Sequence, residues 1–478
     1  MSAEYLDGYL DGVVLAQRRW AATSLDVRKA LVGKLGERIA LGARELAETV
    51  PTNLPGALSR TVADTLVAEV LPLIEACRFL EREAGRILAT RRLGSAGRPI
   101  WLAGLQTEVE RAPWGVVLVL AAANYPLLLA GVQTLQALVA GNAVLWKPAP
   151  GTEGPARALR ALLMACGLDA ELLTVLDSSV EAGTRALASG VDHVVLTGSA
   201  ETGKAVLRQL AETLTPATME LSGCDAVFVL PGADLGRLAQ ALGFGLRFNG
   251  SFTCMAPRRM FLVGMADADG FEARLAAELG QLAAVSLPPK TVALLGELAE
   301  DARTQGAAVM RSSESGATLI TGATPAMKSM QSDVFAPVLS VMRVKDREEA
   351  LAVQAVCPYA LTASIFGPED EARTLASRLR VGNVLINDIV APTADPRIAF
   401  GGRGRSGFGV TRGAEGLLAM TTPRTIQVQR GSSKRAYEPT GEAHVEFFSA
   451  LARALYARGL GARWDGLKRV VRAARLLG

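Results

Sequence analysis

The chain has 478 residues, half of them hydrophobic, and a formal net charge of +4. That length exceeds one ordinary core and predicts two or three domains. The balanced charge and high apolar fraction exclude a nucleic-acid binder and a disordered chain, and fit a globular enzyme. Five scattered cysteines, at 77, 166, 224, 254 and 357, form no C-x-x-C pair. Neither a disulfide framework nor a metal site is expected, and the compartment reads as reducing and cytoplasmic. With only His193 and His444 present, a Cys–His or Ser–His mechanism has almost nothing to use. Glu4 and Asp7, without an apolar core beside them, argue against a secretory leader.

Residues 8 to 90 read as helices. Val13, Val14, Ala16 and Trp20, then Leu31, Leu35, Ile39 and Leu41, recur at helical spacing, with Pro51 and Pro55 as breaks. After a glycine-rich break, Leu105, Thr107, Val109 and Arg111 share one face of a strand, and Val116 to Leu120 reads as a strand buried on both faces. No charge occurs from Ala112 to Trp146, but Asn124, Tyr125 and Pro126 interrupt the run, which suits buried α/β elements rather than a membrane span. Strands at 143–146, 172–176 and 193–196 alternate with helices at 131–139, 153–166 and 180–189. Such alternation predicts a parallel sheet with ligands beyond the carboxyl ends of its strands. A second α/β block has strands at 226–230, 259–263, 338–344, 362–366 and 384–386 and a helix at 235–248, then a glycine-dense run, Phe400 to Gly409. Residues 430–441 read as a linker before one amphipathic helix from Ala443 to Gly478.

Candidate chemistry gathers in five places. Cys254 stands among small and polar residues after an apolar helical run; a reactive thiolate wants such a position near donors and positive charge, and a buried inert thiol is the other reading. Thr197 to Gly203 leaves a strand and opens a helix. Gly198, Ser199 and Gly203 would let backbone N–H groups approach a phosphate, although G-x-x-x-x-G also suits an ordinary strand-to-helix turn. Lys147 ends a strand at the same sheet edge, where a cation meets a ribose or phosphate, or is simply solvated. Glu220 lies among apolar neighbours immediately before a buried-looking strand; burial would raise its pKa and suit a general base, a surface glutamate being the alternative. Asn124 must be hydrogen-bonded or functional in so apolar a context. Its amide would donate to an oxyanion, or it forms the turn before Pro126.

Together these stretches resemble the NAD(P)-dependent aldehyde dehydrogenase superfamily over about residues 10 to 430. Ala-Asn-Tyr-Pro (123–126), Gly-Asn-Ala-Val-Leu-Trp-Lys-Pro (141–148), Thr-Gly-Ser with Gly203, Met-Glu-Leu-Ser-Gly (219–223) and Asn-Gly-Ser-Phe-Thr-Cys-Met-Ala-Pro-Arg-Arg (249–259) carry the likeness. Asp-Val-Phe-Ala-Pro (333–337), Asn387-Asp388 and the Phe400–Gly409 run complete it, and the wording is closest to the class 3, fatty aldehyde dehydrogenase-like branch. The resemblance implies an α/β fold with a Rossmann-type cofactor domain over 1–220, a catalytic domain over 221–400, a return over 401–431, and a linker and basic tail over 432–478. A β flap, 97–112 with 419–431, would pair subunits into a homodimer or higher homo-oligomer. It also implies a small-molecule aldehyde as substrate and NAD or NADP as cofactor. Cys254 would be the nucleophile, Asn124 an oxyanion donor and Glu220 the base that hydrolyses a thioester. Lys147 would meet the adenosine ribose, Gly198, Ser199 and Gly203 the phosphates, and Asp333 the nicotinamide ribose, with Phe335 packed nearby.

Four departures stand out. Pro150 replaces the usual glutamate after the lysine, which removes a carboxylate that would repel a 2′-phosphate and points toward NADP. Asp333 is one methylene shorter than the usual glutamate. Gly250 and Phe252 stand where polar residues are common, and Ala122-Ala123 replaces bulkier residues. The tail's partner stays open between an anionic membrane surface, the chain's own oligomer and another protein. The alternative to an enzyme is a catalytically inactive scaffold that binds through this tail.

Overall fold

The structure, a computed structural model, describes residues 3–54, 57–313, 316–430 and 439–477. The chain divides into two compact units, residues 1–90 with 110–424 and residues 91–109 with 425–478.

Two parallel-rich sheets organise the first unit. The first has the order Gly407–Phe408, Ala217–Leu221, His193–Gly198, Val116–Leu120, Ala143–Lys147, Leu173–Val175, and only Gly407–Phe408 runs antiparallel. Val116–Leu120 is buried at every position, as its unbroken apolar run demands. The Leu128–Ala140 helix behind it is buried throughout. The uncharged stretch is therefore strand, turn, helix and strand. Among the described residues no helix is long and apolar enough to cross a membrane. Strand order reverses between Val116–Leu120 and His193–Gly198, and a ligand crevice forms beyond the carboxyl ends at such a point. Asn124 and Ser199 follow those two ends.

Only Ser222, Gly223 and Cys224 separate Ala217–Leu221 from Asp225–Val229 in the second sheet. That sheet has the order Ala308–Arg311, Thr318–Thr321, Val338–Val344, Pro257–Val263, Asp225–Val229, Thr362–Phe366, Asn383–Ile386, parallel except for Ala308–Arg311. The strands at 308–311 and 318–321 were not expected. Glu220 stands ahead of the buried Asp225–Val229 strand, as expected, and itself lies inside a strand that was not expected, between His193–Gly198 and Gly407–Phe408.

The second unit holds an antiparallel ribbon and a helical hairpin. Thr421–Gln429, Leu105–Pro113 and Arg91–Leu93 are neighbours in that order. The tail is two helices, Glu442–Tyr456 and Leu460–Ala474, where one was expected. Gly459, at φ 97°, makes the break. Gly466 lets the helices close: a Cβ there would stand 2.4 Å from Ala454 N. Asp465 bridges Arg453 and Arg469 at 3.2 Å each across and along the pair.

Candidate active site

The turn after Val116–Leu120 rests on a buried ion pair that the sequence reading missed. Arg60 Nη1 lies 2.7 Å from Glu69 Oε1, with both side chains almost fully enclosed. Glu69 Oε2 accepts the N–H groups of Leu127 and Leu128 at 2.7 and 2.8 Å, so it also caps the Leu128–Ala140 helix. Arg60 reaches the Asn124 carbonyl at 3.4 Å and stands 5.7 Å from the centre of the Tyr125 ring. Removing one partner of such a pair leaves an uncompensated buried charge.

Asn124 is buried and donates from Nδ2 to the Phe252 carbonyl at 3.0 Å. An amide NH2 carries two donors, so one N–H is left for a ligand. Asn249 holds the same carbonyls, donating to Asn124 O at 3.0 Å and Phe252 O at 3.3 Å. The loop with Cys254 is pinned from the other side by Arg258. Its guanidinium donates to Ser251 Oγ, Ser251 O and Ala336 O, each at 2.7 Å. Asn249 and Ser251 adopt φ of 51° and 66°, unusual for residues with a side chain. The loop is thus held in a tight conformation by buried side-chain bonds. Among the described residues, the Cys254 backbone N–H donates to no protein group.

Cys254 is half-buried. Burial raises its thiol pKa, as do the carboxylates of Glu220 and Asp225, while Arg412 opposes them. Glu220 is almost fully buried; Thr411 Oγ1 donates to its Oε2 at 2.9 Å, and its Oε1 has no protein partner. Burial raises Glu220 too, against Arg412 and the Thr411 hydroxyl. A proton-hungry carboxylate and a thiol that resists ionisation therefore share one enclosed space.

Two cavities open on this pair. The larger, about 420 Å³, is lined by Ala121–Asn124, Lys147, Pro150, Val180, Leu187, Thr197–Ser199, Val206, Glu220–Ser222, Phe252, Cys254 and Phe335. Lys147 ends its strand half-buried, with its pKa lowered by burial and supported by Asp177 and Glu153. Ser199 caps the Ala200–Thr213 helix by accepting from Thr202 N at 3.1 Å, so the helix N-terminus faces the cleft. Phe335 packs on Phe252 with ring centres 5.1 Å apart. These features fit a dinucleotide: a cation and a helix N-terminus for its phosphates, and apolar walls for its rings.

The smaller cavity, about 190 Å³, is lined by Val67, Ala68, Tyr125, Leu128, Leu129, Phe244, Phe248, Met255, Val390 and Phe400 beside Glu220, Cys254, Thr393 and Arg412. The structure brings Cys254, Glu220, Asn124, Lys147, Gly198, Ser199 and Phe335 to the larger cleft. Gly203 and Asp333 are not on its wall. Gly203 serves packing: a Cβ there would stand 2.8 Å from Leu221 Cδ1, so a side chain would have to push that leucine aside. Asp333 is half-buried, its pKa raised by burial against the charges of Arg258 and Arg405. Arg60, Glu69, Arg258, Thr411 and Arg412 were missed; for Glu69, a lone acid in the apolar run Leu66 to Ile74 was the available signal. Among the described residues no cluster of histidine, cysteine or carboxylate side chains could hold a metal ion.

Residues 3–426 match the aldehyde dehydrogenase family. A 4,4'-diapolycopene aldehyde oxidase from a Methylomonas species is 30% identical over 380 residues, 75% of this chain and 70% of that protein. A probable coniferyl aldehyde dehydrogenase of Pseudomonas aeruginosa is 28% identical over 404 residues, 80% of this chain and 84% of that protein. The solved structure of NADP-dependent glyceraldehyde-3-phosphate dehydrogenase from Bacillus halodurans C-125, complexed with NADP, superposes with a TM-score of 0.81 at 27% identity, covering 90% of this chain and 92% of that one. Nothing in these likenesses supports an inactive scaffold. The chain belongs to the aldehyde dehydrogenase family and is an NAD(P)-dependent enzyme that oxidises an aldehyde.

Proposed function

We propose that the chain oxidises an apolar aldehyde to the free acid, with Cys254 as nucleophile, Asn124 as oxyanion donor and Glu220 as hydrolytic base. One observation carries this reading: the cleft that suits a dinucleotide and the separate apolar cavity both end at Cys254 and Glu220. Because burial holds the thiol protonated, its proton leaves to water in the cleft as the sulfur attacks, and Glu220 stays free for the hydrolytic step. The unused Asn124 amide N–H and the Cys254 N–H hold the oxyanion. The bound dinucleotide supplies the hydride acceptor. Glu220 then takes a proton from the water that releases the acid from the Cys254 thioester. Lys147, Gly198 and Ser199 hold the cofactor, with Phe335 against its nicotinamide end. Asp333 acts at the nicotinamide ribose through the Ser222 hydroxyl beside it, which is on the cleft wall, and Gly203 secures the phosphate turn through packing.

NADP is the preferred cofactor in this reading, because Pro150 leaves the wall beside Lys147 without a carboxylate at that position. The division into a cofactor domain over 1–220, a catalytic domain over 221–400 and a return over 401–431 follows the two sheets. The exposed Thr421–Gln429 strand is an edge that a second copy would cover, giving a homodimer. Five free cysteines suit a cytoplasmic enzyme.

The hairpin is a membrane-surface element in this account. Leu460, Trp464, Leu467 and Val471 recur along one exposed helical face, and residues 442–477 hold seven arginines and lysines against three acids. Flotation with phosphatidylserine vesicles should carry the whole chain and leave behind a chain ending at residue 440. Equal flotation of both excludes this contact.

The reaction is tested by absorbance at 340 nm, with NAD or NADP and aldehydes from acetaldehyde to dodecanal, beside Cys254→Ser. Cysteine-dependent reduction, faster with NADP and with apolar aldehydes, is expected. A folded wild-type protein that reduces neither cofactor with any aldehyde would exclude the reading.

A further inference from the structure

Arg412 is the feature of the site that the roles of Cys254, Asn124 and Glu220 leave unexplained. Its φ of 61° and ψ of 173° lie in a region that glycine enters freely and arginine rarely does. A strained backbone is tolerated here while a long cationic side chain is kept. That side chain is fixed: Nη1 donates to the Thr393 carbonyl at 2.7 Å, and the guanidinium carbon stands 4.4 Å from the centre of the Phe400 ring. Its Nε is enclosed and has no partner within the protein, a condition shared by Glu220 Oε1 across the same cavity. No ion pair within 4.0 Å joins the two among the described residues.

The charged and titratable surroundings can be named. Arg412 and Cys254 face Glu220; Asp225, Asp333 and Arg258 also act on Cys254; Tyr125 faces Arg412. Among the described residues, Arg412 is the one cation acting on Glu220, while enclosure drives that carboxyl toward its neutral acid. A neutral Glu220 accepts no proton. During deacylation its carboxylate must take a proton from water as the water oxygen bonds to the thioester carbon. The C–S bond then breaks, and Cys254 leaves as a thiolate that recovers the proton.

We propose that Arg412 is a positioning residue for Glu220, held by Thr393 and Phe400 so that its charge keeps Glu220 ionised for deacylation. This rests on the reading of Glu220 as the hydrolytic base. It assigns Arg412 to the second half of the reaction and leaves the first half largely independent of it.

The test is stopped-flow and steady-state reduction of NADP with hexanal, for wild type, Arg412→Gln, Arg412→Met, Arg412→Lys and Glu220→Gln, between pH 5.5 and 9. Arg412→Met keeps length and contact with Phe400, so whichever neutral variant folds decides the matter. The neutral variants should keep a burst near one NADPH per site. Their steady-state rate at pH 7 should fall at least tenfold, and the acid limb of the rate should move up by a pH unit or more. Arg412→Lys should return the limb most of the way. A fall in steady-state rate with the limb unmoved, or a burst lost along with turnover, overturns the proposal in favour of a structural role. If Glu220→Gln itself keeps full turnover, the reading of Glu220 fails first, whatever Arg412 does.

Discussion

The two cavities that meet at Cys254 are built in opposite ways. The larger is walled by short contiguous runs at the ends of strands, 121–124, 197–199 and 220–222. Its shape follows from backbone turns and from where the strand order reverses. The smaller is walled by single side chains drawn from Val67, Tyr125, Leu128, Phe244, Phe248, Val390, Phe400 and Arg412, which come from many separate segments. A site made of turns needs particular residue types at fixed spacing. A site made of side chains needs only the right volume and polarity, which many sequences satisfy.

Changes beneath the shared turn should damage both cavities together, and changes on one wall should damage one. Glu69→Gln strands Arg60 without a charged partner and leaves one neutral oxygen where two carboxylate oxygens served Arg60, Leu127 and Leu128. It should cost about 3–5 kcal/mol in a urea melt, with KM rising for aldehyde and cofactor alike. Asn124→Ala removes one oxyanion donor and should lower kcat about a hundredfold or more, with a smaller loss of stability from the missing bonds to Phe252 and Tyr125. Ala68→Leu intrudes only on the smaller cavity. It should raise KM for long aldehydes about tenfold and leave KM for NADP unchanged. Pro150→Glu adds a carboxylate to the larger cleft alone and should shift the NADP-to-NAD preference about fivefold toward NAD, with no change in aldehyde selectivity. An aldehyde effect from Pro150→Glu, or a cofactor effect from Ala68→Leu, would break the separation.

Acid should also act on the fold through a third place, far from either cavity wall. His193 is buried, stacked on Trp114 with ring centres 5.4 Å apart, and burial lowers its pKa to about 4. The folded protein therefore keeps this ring neutral while the unfolded chain protonates it below about pH 6.5. Stability is full above that pH and falls as pH drops toward 4, by about 3 kcal/mol over the window. His193→Gln should flatten that part of the stability profile in urea melts at successive pH values.

The comparison also explains what the sequence disclosed. Lys147, Ser199 and Asn124 could be found because each follows a strand that its apolar run reveals, at the sheet edge where ligands bind. Cys254 and Glu220 emerged from motif wording, although the strand around Glu220 was obscured by the charge in its middle. The ion pair of Arg60 and Glu69 was hidden, because nothing local ties an arginine ahead of a helix, and a glutamate within it, to a turn at 124. Arg258 stood in the motif just ahead of the strand expected at 259–263, with nothing to show that it organises the loop before it through Ser251. Arg412 lies three residues beyond the glycine-dense run, which ends at Gly409. The left-handed residues Asn249, Ser251, Val390 and Arg412 crowd the site, and such strain is a property of the folded backbone that composition does not announce. The tail failed differently. One amphipathic helix was expected there, but Gly459 breaks it and Gly466 is a contact surface between two helices.

The central claim is that Glu220 serves hydrolysis of a Cys254 thioester. Stopped-flow reduction of NADP by Glu220→Gln tests it most directly. A burst near one NADPH per active site is expected, followed by almost no further turnover, because the thioester forms and is then stranded. Continued turnover at the wild-type rate, with no accumulated thioester, would contradict it.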